Sequence, residues 1–154
     1  MQEKIEKAKA AALRLLSYRM RSCKEISDKL QDKGFTQNII QAVIQDLKRI
    51  NYLNDYEFAK AFIESRLIHN PKGKTLLLYE LLKKGVDKDT VNKVLDEIIS
   101  REKEENIVKV LAQKLWQKKR NLDKAKRKAQ TYNYLARRGF PASLIIKILE
   151  ELGN

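Results

Sequence analysis

Seven of the eight cations in one short stretch are the first candidates: Lys114, Lys118, Lys119, Arg120, Lys124, Arg127 and Lys128, with Trp116 among them. Ammonium and guanidinium groups pair with phosphates or carboxylates, and an aromatic ring among them can stack on a nucleobase. Trp116 also keeps helical spacing with Val108, Leu111, Ala112 and Leu115, which favours a core face over a stacking platform. Two successive helices would carry the cations, so they can form one patch. A second candidate contact is Tyr18-Arg-Met-Arg21, where Arg19 and Arg21 join two helices and can reach carboxylate or phosphate bidentately. Lys72 and Lys74, beside the His69-Asn-Pro-Lys-Gly73 loop, make a third.

Catalytic chemistry has little support. Gly73 and Gly85 are isolated and lack the context of a phosphate-binding loop. His69 has no acid or nucleophile pattern beside it, and a solvated loop histidine is the default reading. Cys23 lies near Arg21 and Lys24, which would favour thiolate, but an incidental or structural cysteine is the more economical reading. One cysteine and one histidine cannot make a metal site. The chain is therefore expected to be no enzyme and to need no metal or cofactor.

The 154 residues carry 33 basic and 20 acidic side chains, a net charge of +13. Residues 1–50 hold 11 basic and 6 acidic groups, residues 51–100 balance at 8 each, and residues 101–130 hold 11 and 4. Such uneven charge points to a polyanionic partner, nucleic acid or an acidic protein surface, touched mainly through the two flanks. The chain has no apolar run of about 18 residues and no signal-like N-terminus. A soluble, cytoplasmic protein without membrane contact is expected.

The elements that must position these groups announce themselves by repetition. Leu30-Gln-Asp-Lys-Gly-Phe35 returns as Leu81-Leu-Lys-Lys-Gly-Val86 and as Leu135-Ala-Arg-Arg-Gly-Phe140. After each glycine, apolar residues recur at helical spacing: Ile40, Val43, Ile44, Leu47; Val91, Val94, Leu95, Ile98; Ile145, Ile148, Leu149, Leu152. Glycine suits the left-handed residue that ends a helix, and a cation in the last turn suits the helix dipole. Thr36 and Asp87 are placed to cap the following helix, and Pro141 fits its first turn. The pairs Phe35/Ile40, Val86/Val91 and Phe140/Ile145 have hydrophobic-staple spacing.

With only five glycines and two prolines, the chain reads as all-α. About nine helices are expected, three per repeat: residues 1–50, 51–100 and 101–154, stacked in an elongated, curved array. Ser22-Cys-Lys-Glu25 has capping-box spacing, and Asn54 and Asp123 are further starts. Tyr52, Phe58 and Val110 read as core. Arg101–Glu105 reads as a helical continuation with some flexibility.

These segments, taken in order, resemble the RecX family of bacterial regulators of the RecA recombinase. The resemblance spans nearly the whole chain. Leu16-Ser-Tyr-Arg-Met-Arg-Ser22 with Glu25-Ile26 and the first glycine segment looks like its opening block. Tyr52-Leu-Asn-Asp55, Phe58-Ala59 and Arg66 look like its central signature. Lys72-Gly73 with Glu80-Leu-Leu-Lys-Lys-Gly-Val86, and then Tyr134-Leu-Ala-Arg-Arg-Gly-Phe140, complete the series. Met20 stands where the family often has proline, and Asn51 where glycine is commoner. The resemblance implies three tandem three-helix repeats acting as a monomer in recombination, DNA repair and the SOS response. Such a protein would bind the RecA–single-stranded DNA filament, bridge protomers, and reduce ATP hydrolysis and strand exchange. A general nucleic-acid-binding module without RecA specificity is the alternative.

Overall fold

Every repeated glycine ends its helix with the same pair of hydrogen bonds. In this computed structural model, which describes residues 1–153, Gly34, Gly85 and Gly139 take φ of 94°, 87° and 88°. The Gly34 amide donates to the Gln31 carbonyl at 2.9 Å and the Phe35 amide to Leu30 at 3.2 Å. The same two bonds run from Gly85 to Leu82 (3.0 Å) and Val86 to Leu81 (3.1 Å), and from Gly139 to Ala136 (3.0 Å) and Phe140 to Leu135 (3.3 Å). Carbonyls left over at a helix end are thereby satisfied. Asn51 does the same at a fourth helix end, with φ 63° and bonds from Asn51 to Lys48 (3.0 Å) and Tyr52 to Leu47 (2.8 Å). Asparagine is among the few other residues that enter this region readily, so it fills the conformational need a glycine would meet there.

The described residues form nine helices and no strand. They are α1 (Gln2–Tyr18), α2 (Cys23–Asp32), α3 (Gln37–Arg49), α4 (Asp55–His69), α5 (Lys74–Lys83), α6 (Lys88–Ile98), α7 (Arg101–Lys118), α8 (Lys124–Arg137) and α9 (Ala142–Gly153). Asn54, Asp87, Ser100 and Asp123 side chains each accept a backbone N–H of the helix they open. Thr36 occupies the capping position of α3, but its side chain makes no capping bond. Arg101–Glu105 is not a continuation of α6. Ser100 is extended (φ −69°, ψ 165°) and its Oγ accepts the Lys103 N–H at 3.1 Å, so a new helix begins there. No described helix is long and apolar enough to cross a membrane.

Two compact units emerge, and each takes part of the middle helices: Met1–Phe62 with Glu80–Val94, and Ile63–Tyr79 with Leu95 onward. In the first unit Ala8 and Ala12 of α1 are fully buried and let α1 lie close to Ile26 and Leu30 of α2 and Ile40, Val43 and Leu47 of α3. Tyr52, expected inside, is 60% exposed. Leu53 takes the buried place instead, because the chain turns inward one residue later, its amide bonded to Leu47 O at 3.2 Å. Phe58 is buried as expected.

Ser22 is the joint of this unit. It is wholly buried, its Oγ accepts the Glu25 N–H (3.1 Å) and donates to the Lys84 carbonyl (2.6 Å). Its own N–H donates to Glu25 Oε1 at 3.1 Å, completing the capping box. Asp55 Oδ1 accepts the neighbouring Cys23 N–H at 2.8 Å. The start of α2 is thus bonded to the end of α5 and the start of α4. Ser22→Ala is expected to destabilise this unit by about 2 kcal/mol, from the missing cap and the orphaned carbonyl. Urea unfolding followed by far-UV circular dichroism measures it, and an unchanged midpoint would contradict the assignment.

The second unit has its core in Val108 and Ala112 of α7, Leu135 of α8, Phe140, and Ile145, Ile148 and Leu149 of α9. Val110, expected inward, is 51% exposed. Val108 and Ala112, four residues apart, hold the inner stripe of α7, and Val110 falls between them on the opposite side. The Asn70–Gly73 loop is gripped by Arg138, whose Nη1 donates to Asn70 Oδ1 (2.6 Å) and Pro71 O (3.0 Å). The Gly73 N–H donates to the Arg138 carbonyl at 2.7 Å.

Candidate functional site

The α7–α8 corner collects the densest of the candidate groups. Lys114 and Lys118 stand one helical turn apart on α7 and are exposed. A tight turn follows, with the Arg120 amide bonded to Gln117 O (3.3 Å) and the Leu122 amide to Lys119 O (3.0 Å). It carries Lys119 and the exposed Arg120 to Asp123, whose side chain caps α8. Lys124 then opens α8, exposed. The corner is fastened by Arg127, whose Nε donates to the Trp116 carbonyl at 2.8 Å. Its guanidinium lies 3.9 Å from the centre of the Trp116 ring, a cation–π contact. Arg127 and Trp116 therefore hold the corner together, and one face of the indole is covered.

Lys124 and Lys128 have a second neighbour. A Cβ at Gly153 would lie 3.4 Å from Lys124 Cε and 3.1 Å from Lys128 Cε, so both stems run over the last turn of α9. Cations there suit the negative end of that helix. Sequence reasoning passed over a groove beside the corner, ≈ 280 Å³, lined by Leu115, Lys119, Gln130, Asn133, Tyr134 and Arg137. Two cations, two amides and a tyrosine share it, with the Arg138 guanidinium 4.7 Å from the Tyr134 ring centre. Arg137 belongs to the repeated glycine segment and Tyr134 directly precedes it, and the helix-ending reading of that segment hides this second placement.

Of the other candidates, Arg19 is engaged locally. Its Nη2 meets Glu25 Oε2 at 2.6 Å and its Nη1 meets the Met20 carbonyl at 2.7 Å. Burial of Glu25 opposes its charge, but the bonds from Arg19 and the Ser22 amide, with Lys84 at 3.5 Å, hold the carboxyl below its usual range. Arg21 lines a different groove of the first unit. Lys74 pairs with Asp96 at 3.5 Å, and Lys72 is half-buried beside the loop held by Arg138. The structure gathers Lys114 to Lys128 at one corner of the second unit, while Arg19 and Arg21 belong to the first.

Cys23 is the reverse of an activated thiol. Burial first, then the charge and hydrogen bond of Asp55, push it from its ordinary 9.0 up to about 11, despite Lys48. The neutral thiol favours the fold below the unfolded value, and that contribution disappears as pH rises through 11. At neutral pH the native thiol should react with an aromatic disulfide reagent about a hundredfold more slowly than the urea-unfolded chain. Equal rates in the two states would overturn this account.

Comparison with known proteins turns these observations into a lineage. Residues 8–47, 54–95 and 102–149 match the first, second and third three-helix domains of RecX. The chain is 34% identical over 150 residues to the regulatory protein RecX of Bacillus subtilis (strain 168), covering 97% of this chain and 56% of that one. It is 35% identical over 144 residues to the regulatory protein RecX of Caldanaerobacter subterraneus subsp. tengcongensis, covering 94% and 70%. Against the regulatory protein RecX of Oceanobacillus iheyensis it spans 54% of the relative's length. The chain thus corresponds to little more than half of some curated relatives. The crystal structure of RecX from Lactobacillus salivarius superposes with a TM-score of 0.90 at 25% identity, covering 99% of each chain. Nine helices among the described residues, arranged as three successive domains of one kind, each with the same glycine turn between its second and third helices, place this chain in the RecX family of regulatory proteins.

Proposed function

We propose that this protein is a non-enzymatic modulator, mainly an inhibitor, of the RecA recombinase. Acting as a cytoplasmic monomer, it binds the RecA–single-stranded DNA filament, bridges neighbouring protomers, and limits filament growth, ATP hydrolysis and strand exchange. The observation that carries this reading is the succession of three RecX domains over residues 8–149. The α7–α8 corner supports it, because its exposed cations suit a phosphate backbone or an acidic protein surface. A bridging protein would impede the nucleotide-linked rearrangement between protomers without any chemistry of its own. The groove holding Lys119, Arg137 and Tyr134 favours one other reading, a general nucleic-acid-binding module without RecA specificity.

The test is DNA-dependent ATP hydrolysis by the cognate RecA, with this protein far below RecA in concentration and single-stranded DNA in excess. Inhibition under those conditions is the expected result, since too little protein is present to sequester the DNA. Full hydrolysis, with DNA binding retained, would move the general binder to first place.

A further inference from the structure

A groove of ≈ 390 Å³ opens in the first unit, where the end of α1 meets the α3–α4 connection. Leu13, Leu16, Met20 and Tyr52 give it an apolar wall, and Arg21, Asn51, Asn54 and Glu57 supply its polar edge. Two of the apolar side chains stand largely in solvent: Tyr52 is 60% and Met20 48% exposed. Folding alone does not ask for this, because Leu53, next to Tyr52, already fills the core position. An aromatic ring and a methionine left at the rim of a concave apolar surface are the common anchors of a protein contact.

Arg21 says what kind of contact. Its Nε is buried and has no protein acceptor within hydrogen-bond distance. Its neighbour Arg19 is fully engaged with Glu25 and Met20, whereas no carboxylate of the described residues forms an ion pair with Arg21. A buried donor without an acceptor is costly, and a small rotation onto an incoming carboxylate would relieve it with a charge-assisted bond. The surrounding unit, Met1–Phe62 with Glu80–Val94, holds 16 basic and 11 acidic side chains, which draws acidic partners. Glu57 on the polar edge repels acid at that side, so it sets the direction of the ligand. The acidic group belongs at Arg21, away from Glu57.

We propose that this groove docks an acidic peptide segment of a protein partner, seating one bulky apolar side chain against Leu16, Met20 and Tyr52 and pairing an adjacent carboxylate with Arg21. The inference stands apart from the identity of the partner, and its test uses no RecA, so either reading can fail alone.

The probe is a fluorescein-labelled hexapeptide, Asp-Asp-Phe-Asp-Asp-Leu, titrated with the full chain and followed by fluorescence polarisation. Saturable binding is expected, at least about tenfold weaker for Arg21→Gln and similarly weakened for Tyr52→Ser. Both side chains lie outside the core, and circular dichroism of each variant establishes that it is folded. A control peptide with serine for both apolar residues should bind far more weakly. Equal binding of that control, or unchanged binding by both variants, would overturn the proposal. Two other occupants have their own signatures. Displacement of the peptide by a single-stranded oligonucleotide, abolished in Tyr52→Ser, would assign the groove to nucleic acid. Self-association in the ultracentrifuge, abolished by Arg21→Gln, would assign it to a second copy. Either result would refute the acidic-peptide reading.

Discussion

Gly73→Ala should destabilise the second unit by about 3 kcal/mol or more, while Gly34→Ala costs only about 1 kcal/mol. The two glycines differ in what surrounds them. A Cβ at Gly34 meets nothing within 4 Å, so alanine there bears only the strain of a left-handed backbone. A Cβ at Gly73 would lie 2.1 Å from the Gly139 carbonyl oxygen and 2.6 Å from the Phe140 nitrogen. Those atoms are backbone at a helix end, held by the Gly139 and Phe140 hydrogen bonds to α8, and cannot step aside as a flexible side chain can. Relief requires parting the Asn70–Gly73 loop from Arg138, which breaks the 2.7 Å Gly73–Arg138 bond and the Arg138 side-chain clamp. Trp116, the chain's sole tryptophan, sits in the second unit and reports on it by fluorescence. The urea midpoint read at Trp116 should fall sharply for Gly73→Ala, whereas for Gly34→Ala, which lies in the first unit and is followed by far-UV circular dichroism, it should fall only slightly. Similar midpoints for the two would show that the close approach carries no energetic weight.

The second large effect concerns the α7–α8 corner. Lys114, Lys118, Arg120 and Lys124, all exposed, should together supply much of the polyanion affinity. On a single strand, each phosphate that goes unneutralised lowers the salt slope by about 0.7. Replacing all four by glutamine should therefore flatten the slope by up to about 3 units. Near 0.1 M salt, the affinity for oligothymidylate should fall on the order of a hundredfold. Arg127 is left out of this variant deliberately. Its bond to the Trp116 carbonyl and its stacking on that ring would leave a weakened affinity ambiguous between phosphate pairing and corner geometry. Unaltered Trp116 fluorescence would certify that the corner is intact in the quadruple variant. If affinity and slope both persist, phosphate is bound elsewhere and the corner is a solvated face.

Much of the fold is legible in the sequence because it rests on local signals. Helix ends follow from glycine within a few residues of leucine, and Leu30–Phe35, Leu81–Val86 and Leu135–Phe140 all fold into the same turn. The buried stripes of α3, α6 and α9 follow from spacing alone, since a helix puts residues three and four apart on one side. Local reasoning falls short where the neighbour lies far along the chain. Tyr52 and Val110 read as core by composition, yet both stand half exposed or more once the helices dock, and Leu53 takes the buried place beside Tyr52. The division into two compact units that share the middle helices is equally invisible in three repeats.

The candidate site shows the same boundary. By itself the sequence determined that the chain is helical and threefold repeated, and that its cations concentrate between residues 101 and 130. Only the tertiary structure decided which cations are available. Arg19 is engaged with Glu25, Arg127 with Trp116, and Arg138 with a loop 68 residues away. Lys119, Arg137 and Tyr134 share a groove. Arg21 is left without an ion-pair partner among the described residues. Capping and periodicity are interactions over four or five residues, so the order of residues encodes them directly. Whether a charge faces solvent, a carboxylate or a ring depends on which distant helix packs against it, and that is decided only when the cores close.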